Sequence, residues 1–325
     1  MTLPRRLLLR LAACAAFAFA APHVATAQAY PAKPVHLLVG FPAGGPADIG
    51  ARLVAQWLGE RLGQQVIVEN RPGAATNLAT EALVRAPADG YTLLFAMVSN
   101  AINATLYDKL NFDFIRDTTP VASFFWTPGV LMVNPAVPAK TVSEFVAYAK
   151  ANPGKINLAS AGPGTVPHIY AELFKISTGT DMVLVHYRGA GPAMPDLISG
   201  RVQGMFDSVP SAIQQHKTGA LRALAVTTAK RLDVMPDVPA IGETVPGYEA
   251  SGWYGIVAPK GTPAPVVEKL HATVNAILAD PQARARIAEI GATPFIGTTA
   301  EFAKFIADDT ARWGKVIRGA NIKPE

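Results

Sequence analysis

An apolar run, Val35–Val39, leads into the turn Phe41-Pro42-Ala43-Gly44-Gly45-Pro46-Ala47-Asp48. That turn leads into a stretch from about Ile49 to Leu62 with apolar residues at helical spacing. This order of strand, glycine turn and helix constrains the fold more than any other feature of the chain. It places the turn at the carboxyl end of a strand, where backbone N–H groups point at an anion and where open α/β sheets bind ligands. The pattern recurs far downstream. Ile156–Ser160 reads as a strand, Ser160-Ala161-Gly162-Pro163-Gly164-Thr165 as a second glycine loop, and Pro167–Ser177 as a helix. Two such loops fit one anionic ligand held from two sides, and they fit a pair of ordinary strand-to-helix turns equally well.

Around the loops, strands and helices alternate. Val66–Val68 reads as a strand, Asn70-Arg71-Pro72-Gly73 as a turn, the segment to Arg85 as a helix, and Tyr91–Met97 as a third strand. This βαβαβ order predicts a parallel sheet with helices on both faces. Ser123–Asn134 is one extended apolar run interrupted by Pro128 and Gly129. Thr141-Val142-Ser143-Glu144 is a capping box for a helix to Ala151. Val183–Tyr187, Val202–Phe206 running into Asp207, and Leu221–Val226 give the middle of the chain its own set of strands. Three helices follow: one capped by Thr262 with Pro263 in its first turn, one over Gln282–Ile290, and one after a capping box at Thr298–Glu301. Terminal helices that pack back on the first domain make it discontinuous. The expected division is residues 30–130 plus 252–325 for one domain and 131–251 for the other. Crossings near Thr127–Val133 and Ala250–Val257 would form a two-strand hinge.

The amino terminus reads as a secretory signal over residues 1–29. Arg5, Arg6 and Arg10 precede an apolar stretch to Ala21, and Ala25-Thr26-Ala27 and Ala27-Gln28-Ala29 offer small-residue cleavage sites. The apolar stretch is too short to span a bilayer. Leu11-Ala12-Ala13-Cys14 has the outline of a lipoprotein box, but Arg10 interrupts the apolar side that should precede the cysteine, so a cleaved signal is expected rather than a lipid anchor. Cys14 is the one cysteine, so the mature chain would need neither disulfides nor thiol chemistry. The precursor carries 29 basic and 24 acidic residues, and the signal holds three of the basic ones and no acid. The remainder is close to neutral, with no basic run, which excludes a nucleic-acid footprint.

Catalytic patterns are mostly missing. There is no nucleophile elbow, no zinc-protease motif, no Walker loop and no cysteine nucleophile, and Gly40, Gly44 and Gly45 do not match a dinucleotide fingerprint. The mature histidines, His36, His168, His186, His216 and His271, are not paired at metal-ligand spacing. Neither a metal nor a cofactor is expected. His36 and His186 lie in apolar strands and read as structural, whereas His168 opens the helix after the second loop and stays a site candidate. Asp48 and Arg52 at i, i+4 read as a helix-start pair that shapes the first loop and leaves the amides of Ala43, Gly44 and Gly45 pointing outward. Asp207 at a strand end can meet a ligand, or it can cap the Pro210-Ser211 turn. Tyr187-Arg188-Gly189 forms a third loop, where Arg188 can face a carboxylate or solvent. An acid–base enzyme using Asp207 and His168 is the alternative reading.

Taken in order, several blocks resemble the substrate-binding receptors of tripartite tricarboxylate transporters, the Bug-type receptors. They are Tyr30-Pro31-Ala32-Lys33-Pro34, Phe41–Asp48, Val68-Glu69-Asn70-Arg71-Pro72-Gly73, Asp89-Gly90-Tyr91-Thr92-Leu93-Leu94, Ala149–Lys155, Leu221–Thr227, Pro236-Asp237-Val238-Pro239 and Ala258–Pro263. The likeness covers essentially the whole mature chain. It implies a two-lobed, type II-like periplasmic-binding-protein (Venus-flytrap) α/β fold, each lobe a mainly parallel sheet flanked by helices. It also implies a monomeric periplasmic receptor that is not an enzyme, closing on a small carboxylate and serving transporter membrane subunits or a sensor protein. In the family the carboxylate is held by backbone groups and waters of the two glycine loops. That carries ligand contact onto Phe41, Ala43, Gly44, Gly45 and Asp48, and onto Ser160, Ala161, Gly164, Thr165 and His168. Ser99 at the third strand end, with Tyr187, Gly189 and Asp207, would line the rest of the site. The chain departs from the family at Ala74-Ala75-Thr76-Asn77, usually richer in glycine, at Met97-Val98-Ser99-Asn100, and at Pro163, Thr165 and Pro167. These departures leave the ligand's far end open.

Overall fold

The computed structural model describes residues 30–187, 189–319 and 322–324. The signal read at 1–29, with Cys14, and Arg188 lie outside them. Lys33–Glu325 form one compact unit. In chain order its elements are β1 (Val35–Val39), α1 (Pro46–Leu62), β2 (Val66–Asn70), α2 (Asn77–Val84), β3 (Thr92–Met97), α3 (Val98–Leu106), the short α4 (Phe114–Asp117) and β4 (Thr118–Val133). Then come α5 (Val142–Ala151), β5 (Asn157–Ser160), α6 (Val166–Thr178), β6 (Val183–His186), α7 (Ala190–Ile198), β7 (Gly204–Ser208), α8 (Val209–Lys217) and β8 (Arg222–Val226). The chain finishes with β9 (Ser251–Pro259), α9 (Ala264–Ala279), α10 (Pro281–Glu289), β10 (Thr293–Pro294) and α11 (Thr299–Gly319).

The strands form a mixed sheet in the order β2-β1-β3-β9-β4-β7-β5-β6, with β8 and β10 also on β4. β1 is parallel to β2 and β3, and β5 is parallel to β6 and β7. Between these two parallel sets run β9 and β4, antiparallel to each other and to their neighbours β3 and β7. The long strand β4 serves both sets. Its stretch from Thr118 to Pro128 pairs with β9, and Gly129 to Val133 pairs with β7 and β8. Pro128-Gly129, which interrupts the apolar run in the sequence, is where the pairing changes partner.

Thr227 ties this crossover together. Its hydroxyl accepts from the Gly129 amide at 2.8 Å, its own amide donates to the Gly129 carbonyl at 2.9 Å, and its carbonyl accepts from Ala250 N at 2.8 Å. The Tyr170 ring of α6 lies so close that a Cβ at Gly129 would come within 2.6 Å of it, so this position requires glycine. The carboxyl-terminal helix packs on β4 and α3 through Phe302, Ile306, Trp313 and Ile317. Each such side chain contributes about 1.5–3 kcal/mol on burial. Beside it Trp253 Nε1 donates to the buried Asp309 carboxylate at 2.8 Å.

Three local expectations differ from the structure. α1 begins at Pro46 rather than near Ile49, because Gly45 is the N-cap and proline suits the first helical position. The third strand runs without a break into α3, a helix absent from the sequence reading. Thr262 does not cap α9; its hydroxyl donates back to the Pro259 carbonyl at 2.8 Å and Pro263 takes the cap position.

Candidate functional site

The first glycine loop lies between β1 and α1. Gly44 takes φ +82°, and the carboxylate of Asp48, third residue of α1, folds back on it. Asp48 Oδ2 accepts from the Gly44 amide and from Arg52 Nε, both at 2.9 Å, and Oδ1 accepts from Asn70 Nδ2 at 3.0 Å. Asn70 also donates to the Phe41 carbonyl at 3.0 Å, which fixes the start of the loop. The Arg52 hydrogen bond, with help from Gly44 and Asn70, draws the Asp48 carboxyl down to about 2 against the effect of burial. Asp48 therefore shapes the loop, as its spacing to Arg52 suggested. The Gly44 amide, expected to point outward, is instead spent on Asp48. The amides of Gly45 and Ala47 have no partner within the helix and stay available as donors.

The second loop, between β5 and α6, repeats the device with another side chain. Gly164 takes φ +70°, and its amide donates at 3.0 Å to Nδ1 of His168, the third residue of α6. That contact makes Nδ1 the acceptor and puts the proton on Nε2, which faces Glu172 Oε1 at 4.0 Å. Burial, with His186 at a ring separation of 4.9 Å and Lys175 adding to it, lowers the His168 pKa to about 4. The ring is a neutral anchor at pH 7. Ser160 and Thr165 also serve the loop: the Ser160 hydroxyl accepts from Gly162 N at 3.2 Å, and Thr165 Oγ1 donates to the Gly162 carbonyl at 2.6 Å. Val166 is the first α6 residue with an amide free of intrahelical partners.

A third helix start follows the same rule. Asn100, third residue of α3, accepts from the Met97 amide at 2.8 Å, and Ser99 is buried beside it. The Asn100 amide nitrogen donates to Thr76 Oγ1 at 3.1 Å and Thr80 Oγ1 at 2.9 Å. Thr76 ends a left-handed run of three non-glycine residues, Ala74 (φ 45°), Ala75 (φ 49°) and Thr76 (φ 86°). Each costs about 1–2 kcal/mol relative to an ordinary backbone. The turn lies between the two glycine loops. A Cβ at Gly40, which opens the first loop, would come within 2.5 Å of Thr76. A Cβ at Gly164 in the second would lie 2.7 Å from Leu106 Cδ2 and 3.9 Å from both Ala75 Cβ and Asn103 Oδ1. The sequence reading singled out Ala74–Asn77 only as a departure and missed Asn103 altogether. The signal was there in Asn100 and Asn103, two side-chain amides three residues apart in the nonapeptide Val98–Leu106.

The remaining candidates are arranged less uniformly. Tyr187 N donates to the Ser160 carbonyl at 2.9 Å, which places the third loop against the second. The Tyr187 hydroxyl, however, donates to Asp196 Oδ2 at 2.8 Å. Gly189 is the N-cap of α7 with φ +114°. Asp207 is buried within β7, opposite Val130 of β4. Oδ1 accepts from the next amide, Ser208 N, at 2.7 Å, and Oδ2 has no hydrogen-bond partner among the described residues. Burial pushes its carboxyl above the usual range, with the Ser211 and Ser208 groups pulling the other way. No hydrogen bond joins Asp207 to His168 among the described residues, and both ring nitrogens of His168 face other groups. Asp207 and His168 thus each serve their own strand end and loop, and the helix amino termini beside the two glycine loops carry the positive ends of their dipoles.

Two parallel strand sets share crossing strands and present glycine loops at their carboxyl ends, an architecture of solute-binding receptors. The chain belongs to the tripartite tricarboxylate transporter family of receptors (TctC), whose family model matches residues 50–322. It is 36% identical over 303 residues to protein BugT of Bordetella pertussis, covering 92% of this chain and 93% of that one. Among solved structures it is similar to R. palustris Rpa4515 with adipate, at TM-score 0.83 and 36% identity, over 91% of this chain and 100% of that one. It is also similar to MatC of Rhodopseudomonas palustris with bound malate, at TM-score 0.79 and 32% identity, over 89% and 100%. Among the described residues no helix is long and apolar enough to cross a membrane.

Proposed function

We propose that the chain is exported by a cleaved signal at residues 1–29 and acts in the periplasm as a receptor for a small organic acid, which it delivers unchanged to transporter membrane subunits. The two parallel strand sets are read as the cores of two lobes, residues 30–130 plus 252–325 and residues 131–251, with β4 and β9 as the hinge. The observation that carries this reading is the matched pair of loops. In each, the third helix residue is folded back onto a loop glycine amide, Asp48 onto Gly44 and His168 onto Gly164. That leaves the positive ends of α1 and α6 with uncommitted donors for a carboxylate. Relatives solved with adipate and malate support the ligand class.

In this mechanism the acid docks on one loop and hinge rotation brings the other onto it. Binding favours closure only by the ligand's preference for the closed form. A thermal-shift screen on the mature chain, unfolded and refolded to strip any carried ligand, tests the reading with aliphatic, aromatic and amino acids beside sugars and polyamines. An acid at a hundred times its dissociation constant adds about 2.7 kcal/mol. NMR of the recovered acid is expected to show no turnover. Silence across the acids with a shift from a sugar or amine would contradict the proposal.

A further inference from the structure

Resting on the receptor reading, we infer that Asn77 and Asn103 form a neutral donor–acceptor pair that recognises the far end of the ligand. It selects acids whose second polar group both accepts and donates a hydrogen bond, a hydroxyl or a primary amide, over acids ending in an ionised carboxylate.

Both side chains are buried, with 6% and 1% of their surfaces exposed, and each keeps one polar atom without a partner among the described residues: Asn77 Nδ2 and Asn103 Oδ1. Their orientations follow from the neighbours. Asn103 Nδ2 donates to the Ala75 carbonyl at 2.5 Å and to Asn77 Oδ1 at 2.9 Å. Turning the Asn103 amide over would set oxygen against both of these oxygens, so Oδ1 is the free atom. Asn77 Oδ1 is the acceptor in that bond, which leaves its N–H group over. One hydrogen-bonded pair thus ends in one spare donor and one spare acceptor.

The pair lies where the two glycine loops come together. Asn103 Oδ1 faces Gly164 in the second loop, and the Thr76 backbone next to Asn77 packs against Gly40 under the first. The left-handed run Ala74–Thr76 turns the Ala75 carbonyl onto Asn103, and backbone strain of this kind collects at binding sites. A group that donates to Oδ1 and accepts from Nδ2 satisfies both atoms. An ionised carboxylate satisfies only Nδ2 and sets a lone pair against Oδ1. Sites built to hydrogen-bond a substrate group discriminate strongly against analogues that leave a buried polar atom unpaired.

The test is calorimetric titration of the refolded mature chain with a matched set: butyrate, 2- and 3-hydroxybutyrate, succinate and succinamate. All share the carboxylate and differ at the other polar position. Succinamate or one hydroxybutyrate is expected to bind about tenfold or more tightly than both succinate and butyrate. In Asn77→Asp, which keeps the acceptor for Asn103 and removes the donor, the ratio of succinamate to butyrate affinity is expected to fall by a similar factor. Succinate binding as tightly as the best of succinamate and the two hydroxybutyrates, tighter binding of succinate than of all three, or an unchanged ratio in the variant would overturn the inference. The first two results come from the unmutated chain, so the question is decided even if the variant fails to fold. If no acid of the set and no other acid binds, the receptor reading itself fails, which is a different outcome from binding without discrimination.

Discussion

Replacing Gly164 by alanine separates what the second loop costs in folding from what it contributes to closure. The residue sits at φ +70°, so any side chain there costs about 1–2 kcal/mol in the folded chain whether the lobes are open or closed. The added Cβ would also lie 2.7 Å from Leu106 Cδ2, across the join between the second loop and α3. Leu106 is itself buried and has little room to retreat. That second cost arises only when the loop meets α3, which in the proposed mechanism means only in the closed form. Overpacking of this size costs about 1–3 kcal/mol, so ligand affinity should weaken roughly five- to hundredfold. Chemical unfolding without ligand should report the first cost, and calorimetric titration with the best acid the second. Leu106→Val removes the offending methyl, and in the double variant affinity should return to within about twofold of the single Leu106→Val value, whereas the backbone cost should persist. Lowered stability with unaltered affinity in Gly164→Ala would mean that the second loop does not approach α3 on binding, and the closure argument would fall.

Three further outcomes are expected. Gly45→Val should leave folding intact, because a Cβ there meets nothing closer than the Pro42 carbonyl at 3.6 Å, yet it should block backbone approach to the ligand; wild-type affinity by calorimetry would refute the placement of the carboxylate. His168 titrates at 6.5 when unfolded and at about 4 when folded, so the unfolded chain holds the extra proton between these values; stability should fall by up to about 3 kcal/mol as pH drops from 6.5 toward 4, a slope that urea titrations should find missing in His168→Gln. Asp309 goes the other way, from 3.8 to about 6 through burial, so the folded chain holds the proton and stability falls as pH rises through that window; Asp309→Asn, which still accepts from Trp253, should gain up to about 3 kcal/mol at pH 7 and nothing below pH 4, and equal stability at pH 7 would refute it.

Much of the fold was legible because its punctuation is local. The stretch read as helical to Leu62 ends there, with Gly63 in the left-handed conformation, and Thr141 accepts from Glu144 N at the start of α5 as the capping pattern required. The Thr298–Glu301 box closes in both directions, at 3.1 and 2.7 Å. α3 was hidden because nothing separates it from β3: Met97 ends the strand and caps the helix, and nine residues are too few for a helical period to stand out against the apolar run before it. The two glycine loops were legible as strand-to-helix turns. Which amides they offer was not, since only three-dimensional geometry shows Asp48 and His168 folding back to take Gly44 and Gly164. The left-handed Ala74–Thr76 run was unreadable for the opposite reason. Alanine and threonine disfavour that conformation, and it is held by buried asparagines from a helix twenty or more residues away.

In the proposed binding mode the first loop offers the Gly45 amide to a carboxylate while the Gly44 amide stays on Asp48. The decisive experiment is NMR of chain labelled with ¹⁵N only at glycine, titrated with the tightest-binding acid. The Gly45 amide resonance is expected to move downfield as a charged acceptor arrives, with Gly44 moving little. Saturable binding that leaves the Gly45 resonance in place would contradict it.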